Sequence, residues 1–417
     1  MRSKALRSPP RRRWLAAGAL GSAAALLPPA LRGAPQADAG TLPLQAPVPM
    51  ARLHATRDGL LFGLSADGEL WQLGATPWRR VAAGLDSAVP LASGHGRVVG
   101  RSRHGGLWVF EDGRVSTSSS PLLAPQAGLL VLAFAVIAVG LASDGRHHVL
   151  RIESMAGGWR ETARSTHEVL PDARPLQFDP AGGGSDDNGH VLVFGGPDAE
   201  RYRHAVLGDA IEPRSILLLE RHGLDLMARL DLPAPHVFED IAPRAIAWRG
   251  GRALLTVRAG PQGAQLAVVA RAGDSSRLAL AALGEPIGTR HRWLSPSTDG
   301  VRLWAVHTPH LGGVAQRYRS DGDRLLGEVV GQGVSNHAIG ERELDVSAWT
   351  PRHWVVPTQD RRSLRVFDLS RETGLPLHRD VPLSQPVVQL AAWPRHGEPG
   401  VALLHRDGSV SWLPAAA

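Results

Sequence analysis

The chain has 417 residues, enough for two to four domains or one large repeat fold. It carries 46 Lys+Arg against 39 Asp+Glu, a formal charge of +7. It has no cysteine, which excludes disulfides, thiolate zinc sites, cysteine-ligated iron–sulfur clusters, c-type haem attachment and a cysteine nucleophile. The 47 Gly and 32 Pro favour many turns over long helices. Taken alone, +7 suggests a nucleic-acid or membrane-surface binder. The distribution removes that reading. Arg2, Lys4, Arg7, Arg11, Arg12, Arg13 and Arg32 lie in the first 39 residues with one acid, Asp38, so the remainder holds 39 basic and 38 acidic residues. No nucleic-acid partner is expected.

Those first residues have the plan of a signal peptide: a basic start, a mildly apolar stretch from Trp14 to Ala30, and the small-residue site Ala37-Asp38-Ala39. Consecutive arginines followed by Trp14-Leu15 fit the twin-arginine (Tat) export pattern. The alternative is an uncleaved anchor, but the apolar stretch is short for a span and is interrupted by Pro28-Pro29. The expectation is a periplasmic protein with no stable membrane insertion once the signal is removed.

From residue 40 onward one unit recurs: an apolar run, a turn with Asp-Gly or Gly-Gly, and a second apolar run. Leu60–Leu64 meets Asp67-Gly68 and then Leu70–Leu73; Arg97–Val99 meets Gly105-Gly106 and then Leu107–Phe110. Val136–Val139 meets Asp144-Gly145 and then Val149–Ile152; Val401–Leu404 meets Asp407-Gly408 and then Val410–Leu413. β-prone runs flanking a turn that tolerates positive φ read as hairpins. The units start near 60, 98, 136, 191, 253, 301, 354 and 401, a mean spacing of about 49 residues, which suits four-stranded propeller blades. The fold class is therefore all-β. A single β-propeller over 40–417 is expected, of seven blades within a range of six to eight. The last hairpin would join the N-terminal strands to close the ring and remove exposed sheet edges. A pair of β-sandwiches is the alternative.

Two stretches stand apart. Residues 121–142 carry no charge and are long enough to span a bilayer, but Pro125, Gln126 and Gly128 break them and the hairpin pattern continues through them. They read as buried strands. Residues 197–214 do not fit the repeat and read as an insertion with a short helix over Asp198–Leu207, projecting from one face. Propeller-face loops of this kind usually carry function.

Between His236 and Arg365 several strings carry a family resemblance: Phe238–Arg244, Arg290–Leu294, His307–Gly313, Ser335–Glu343 and Gln359–Arg365. On these the chain resembles the exported VCBS/FG-GAP-type repeat proteins, integrin-like β-propellers, in an uncharacterised proteobacterial branch. The resemblance implies a propeller that serves as a binding or assembly module. It departs from the family at the calcium loops, which need several oxygens on one tight turn. Trp248–Gly251 has no carboxylate, Pro296–Gly300 has only Asp299, and only Ser185–Gly189 keeps a cluster of oxygen ligands.

Equivalent loops of successive blades converge on one mouth of a propeller. On that basis Asp240, Arg244, Arg290, His291, Arg292, His307, His310, Asn336, His337, Glu341, Arg342, Glu343, Asp360, Arg361 and Arg362 form the candidate ligand-binding set. Guanidinium forks suit carboxylate, phosphate or sulfate groups. Ion pairs that lock blades together would use the same residue types. His307 and His310 form an H-x-x-H that His337 and His353 could complete as a metal site, though 18 histidines make such a spacing common. Nucleophile-elbow, serine-acylase and zincin motifs are absent, and the only lysine is Lys4. Six of the twelve tryptophans (Trp71, Trp108, Trp248, Trp304, Trp354 and Trp412) fall in or beside expected strands as packing residues.

The function expected is a cofactor-free binding or scaffold module for a protein, a glycan or a small anionic ligand at one channel mouth. The alternative is a periplasmic hydrolase or lyase using His307, His310 or His337 with Glu341 or Glu343, with or without a metal. A third idea is a redox-cofactor propeller.

Overall fold

The computed structural model describes residues 40–74, 77–179, 189–272, 277–371 and 376–415. The signal segment and the Ser185–Asn188 part of the oxygen-rich turn lie outside them. The described chain is all-β apart from one 3₁₀ turn at Ala205–Leu207. The turn chemistry explains the local structure. At Asp67-Gly68 the glycine has φ +70°, and a Cβ there would fall 2.0 Å from the Leu85 carbonyl oxygen, so only glycine fits. Leu61–Ser65, which precedes it, is buried at every position, as a strand packed between two neighbouring sheets must be.

The described strands form eight four-stranded antiparallel groups, here called sheets I to VIII. Sheets I to IV span 50–83, 92–117, 130–168 and 176–231; V to VII span 237–284, 294–332 and 348–382. Sheet V carries an additional short strand, Val237–Phe238, on the edge of its second strand. Sheets V and VI are continuous through a short parallel pairing of their outer strands, Leu283 with Arg324 and Gly284 with Leu325. Sheet VIII combines Val387–Ala392, Gly400–His405 and Val410–Pro414 with the N-terminal Leu42–Pro43, which pairs with Trp412 and Ser411. The final hairpin therefore does join an N-terminal strand. Residues 50–83 form a sheet of their own, so eight groups stand where the spacing favoured seven. The eight expected starting points each fall within two residues of the second strand of a sheet.

In sheets I to IV, VI and VII neighbouring strands follow chain order, and in VIII the N-terminal Leu42–Pro43 adds to the far edge beside Val410–Pro414. The Val387–Ala392 strand of VIII meets the first strands of I and VII, and the first strands of II and III meet each other, which puts these strands innermost. First strands touch neighbouring sheets around the ring, and the seam between VIII and I is explicit. The Gln389 amide accepts from the Leu53 N–H and donates to the Leu53 carbonyl, both at 2.8 Å, and the Trp393 indole N–H donates to the Gly59 carbonyl.

Tryptophans pack between sheets as expected. Trp304, Trp349, Trp354 and Phe367 cluster between VI and VII, and the Trp354 N–H donates to Ser297 and Ser347. Within 121–142 lies the buried strand Ala135–Leu141, and no described helix is long and apolar enough to cross a membrane. The insertion differs from the helix expected at Asp198–Leu207. Asp198 ends a strand, and the chain passes through an irregular loop with the single 3₁₀ turn before Glu212 opens the next strand. The strand ladder runs on to Pro197 and Asp198, paired with Pro213 and Glu212, and the Asp198 carboxylate then closes a tight turn by accepting from the N–H groups of Glu200 and Arg201.

Leu44 follows the closing strand and is buried; its N–H bonds the Val410 carbonyl and its carbonyl accepts from Trp78. Leu44→Ala should cost about 3 kcal/mol in chemical denaturation through the cavity it opens at the seam. A loss within error of zero would contradict closure by this strand.

Candidate functional site

In an antiparallel group whose first strand is innermost, the loop entering the group and the loop between its second and third strands lie at one end. This places most of the candidate set together. Arg290, His291 and Arg292 enter sheet VI, and His310 lies between its second and third strands. Asn336, His337, Glu341, Arg342 and Glu343 enter sheet VII, and Asp360, Arg361 and Arg362 join its second and third strands. Asp240 and Arg244 lie toward the same end of sheet V, where Arg244 pairs with Leu255. The insertion 199–211 of sheet IV and the 169–175 segment entering it are at this end as well. It is one mouth of the ring.

An aromatic and imidazole cluster forms one side. His204 stacks on His291 with centroids 5.1 Å apart, and the Tyr202 ring meets His291 edge-on at 5.0 Å. His291 has φ +60°, a conformation unusual for a side-chain residue, and its N–H donates to the Tyr202 hydroxyl at 2.8 Å. The Arg290 guanidinium lies 5.6 Å from the Tyr202 centroid. Deeper, His310 stacks parallel to Trp293, and His337 sits 4.7 Å from Trp293 and 5.2 Å from His310.

Beneath this layer two glutamates are buried. Glu239 is 0% exposed; one carboxyl oxygen bonds His204 Nδ1 and the other has no partner among the described residues. Glu212 is 2% exposed, also with an unpartnered oxygen. Burial pushes both carboxyls well above their ordinary range, and for Glu212 the nearby Glu239 charge adds to the push. Burial, followed by the Arg292 charge, pushes His204 down. Both shifts favour a neutral His204–Glu239 pair. A buried carboxyl on Nδ1 also fixes the ring, the arrangement that orients a general base.

The opposite side is held by Arg342. Its Nε donates to Asp172 at 2.9 Å and its Nη2 to Asp209 at 2.7 Å, while its carbonyl accepts from Arg174. One side chain thus ties the entry loops of sheets IV and VII to the insertion. Around it gather arginines without an ion pair among the described residues. Arg52 donates only to the carbonyls of Ser87 and Ala88; Arg174 Nε and Arg361 Nη2 are buried without an acceptor. Burial lowers the Arg361 pKa, with Arg406 lowering it further and Glu341 opposing. Burial likewise lowers Arg52, which Glu343 opposes and Arg174 reinforces. These couplings put Arg52, Arg174, Arg361, Arg406, Glu341 and Glu343 in one electrostatic neighbourhood.

Several candidates serve the scaffold instead. Asp240 is fully buried and accepts from Arg244, Thr256 and its own turn. Asn336 is fully buried and donates to Asp345. His307 bonds the Tyr318 hydroxyl within sheet VI, and burial pushes it down to about 4. Asp360 caps its own turn, accepting from Thr358 and the Arg362 N–H. His353 opens the second strand of sheet VII and so lies at the far end of its group from His337. No group of three His, Asp or Glu that could hold a metal ion is found among the described residues. At Pro296–Gly300, Asp299 accepts from the N–H groups of Val301 and Arg302 as an ordinary turn cap.

The sequence reasoning missed Arg52, Asp172, Arg174, Tyr202, His204, Asp209, Glu212 and Glu239. Tyr202, His204 and Asp209 lay inside the insertion already singled out by its departure from the repeat. Glu239 lay in the Phe238–Arg244 string beside the chosen Asp240, whereas Arg52 sits in an ordinary strand-like run with no local signal.

No family model matches the chain, and no curated protein matches it. Solved structures do. Sqt1 of Saccharomyces cerevisiae aligns with a TM-score of 0.58 at 11% identity, covering 90% of this chain and 98% of its own. The Dos1 propeller gives 0.53 at 8% identity, covering 89% and 94%. BamB from Moraxella catarrhalis gives 0.50 at 12% identity, covering 90% and 96%. At such identities the likeness shows the fold alone. The chain is a β-propeller.

Below the ordinary carboxyl range the folded and unfolded chains both keep Glu239 protonated. As pH rises, the unfolded chain ionises and the folded one resists, so stability falls. Glu239→Gln removes this dependence. Between about pH 5 and pH 8 the variant's melting temperature should therefore decline less than the wild type's. Parallel curves would contradict the neutral buried carboxyl.

Proposed function

We propose that this chain is an exported, periplasmic β-propeller that acts as a binding or scaffold module. Its mouth takes an anionic group (carboxylate, phosphate or sulfate) borne by a protein, a glycan or a small ligand. The observation that carries this reading is the pair of buried guanidinium N–H groups, Arg174 Nε and Arg361 Nη2, which have no acceptor at the mouth. A charged donor left unpaired in a buried site is costly, and an oxyanion offers the missing acceptors in matching geometry. Arg52, Arg290, Arg292 and Arg406 add positive charge without ion pairs among the described residues. Export rests on the arginine-led N-terminal segment and its Ala37-Asp38-Ala39 site. The exported VCBS/FG-GAP-like propellers that the chain resembles fit the same role. A hydrolase or lyase reading would rest on the His204–Glu239 pair rather than on His307, since His204 leaves Nε2 without a protein partner among the described residues.

Substituting Arg290, Arg292 and Arg361 together by alanine should reduce recovery of the partner in a pull-down roughly tenfold or more, the scale of losing several charge-assisted contacts. Unchanged recovery would contradict the mouth as the binding surface.

A further inference from the structure

At the mouth end of the ring but on its outer rim, away from the arginine cluster, a cleft of about 140 Å³ opens between sheets III and IV. One wall is His167 and Glu168, at the end of the outermost strand of sheet III. The other is Gly196, Arg214, Leu217 and Arg229 of sheet IV. The space exists because residues 195 and 196 are both glycine. A Cβ on Gly195 would lie 3.1 Å from the Glu168 carbonyl oxygen, so the two sheets approach closely here. Gly196 has φ +63°, and a Cβ there would lie 2.9 Å from Arg214 Cγ and 3.0 Å from its Nε. The bare backbone is the bed on which the Arg214 side chain lies.

The polar groups of the cleft are unevenly satisfied. Arg229 donates Nε and Nη2 to Asp231 at 2.9 and 2.7 Å, and Nη2 also to Ser215, which is fully buried and bonds Asp231 in turn. This fixes Arg229 by one edge and leaves Nη1 uncommitted. Arg214 has no side-chain hydrogen bond or ion pair among the described residues, and neither has Glu168. An Arg214 guanidinium with no hydrogen bond, set near the Asp198 and Asp231 carboxylates, and Glu168, whose charge reaches His147, line one small cavity and do not pair with each other.

From this geometry we infer that the cleft is a subsite for a small zwitterion, an α-amino acid. Its carboxylate bridges Arg214 and the open edge of Arg229, and its ammonium group meets Glu168 on the facing wall. Asp231 faces both arginines and Asp198 lies near Arg214, so with Glu168 the fixed charges of the cleft largely cancel, and a ligand of no net charge fits it better than a plain anion or a plain cation. A zwitterion satisfies both walls, and guanidinium–carboxylate pairing supplies the orientation. A cavity of this size holds a molecule of about six heavy atoms, the size of alanine.

The test is isothermal titration of the mature chain with L-alanine, glycine, acetate, methylammonium and inorganic phosphate as separate probes. The inference expects L-alanine or glycine to bind at one site, with acetate, phosphate and methylammonium each at least tenfold weaker. Arg214→Met and Glu168→Gln should each weaken amino-acid binding at least tenfold with unchanged melting temperature. The Arg290, Arg292 and Arg361 triple variant should bind as wild type, which separates this cleft from the mouth. Acetate or phosphate binding as well as L-alanine would overturn the zwitterion assignment. Absence of any heat with the amino acids, or undiminished binding by both cleft variants, would overturn the site itself.

Discussion

Closure of the ring is the constraint from which the rest follows. Each sheet presents an apolar face that only a neighbour can cover, so the first and last sheets must meet. They do so through the two-way bond between Gln389 and the Leu53 backbone and through Trp393 on Gly59, while Leu42–Pro43 completes the last sheet on Trp412 and Ser411. Once the ring is closed, strand direction leaves no choice about the loops. Every entry loop and every loop between second and third strands emerges at one mouth. Candidate side chains scattered from Arg52 to Arg406 are gathered there without any local sequence code.

Closure brings loops together, but it does not fix their conformation. That task falls to Arg342, whose guanidinium spans Asp172 and Asp209 while its backbone carbonyl receives Arg174. A planar fork with two carboxylates can hold three segments in register where a lysine would hold one. With Arg342 committed to this clamp, Arg52, Arg174, Arg361 and Arg406 remain as charge not spent on carboxylates. The chain has no lysine beyond Lys4, so every Lys/Arg cation at the mouth is a guanidinium. The near-neutral balance of residues 40–417 thus conceals a local excess, while six of the seven formal positive charges belong to the N-terminal segment.

The hairpins were legible because their signals are local. Asp67-Gly68, Asp144-Gly145 and Asp407-Gly408 sit between apolar runs, and each marks the turn between the second and third strands of a sheet. The convergence of the 290–292, 336–343 and 360–362 strings was legible too, as a consequence of repeat spacing. The division into sheets was less so, since nothing local says that residues 50–83 stand apart from the closing strand. The roles of individual polar residues were least legible. Asp240 and Arg244 look like a surface pair in sequence, yet Asp240 is fully buried and tied to Thr256 of the next strand. Glu239, one residue earlier, looks no different from Asp240. It became notable only through His204, 35 residues away, arriving on the insertion. Burial and pairing of that kind are products of the closed ring.

The central claim is that the mouth is a pre-organised surface locked by Arg342, distinct in stability from the ring that carries it. Hydrogen–deuterium exchange on Arg342→Met tests it most directly. The account predicts faster exchange confined to segments 169–175, 199–211 and 338–345, with the strands of sheets I, II and VIII protected as in the wild type. Unchanged exchange in those three segments, or loss of protection spread evenly through all sheets, would contradict it.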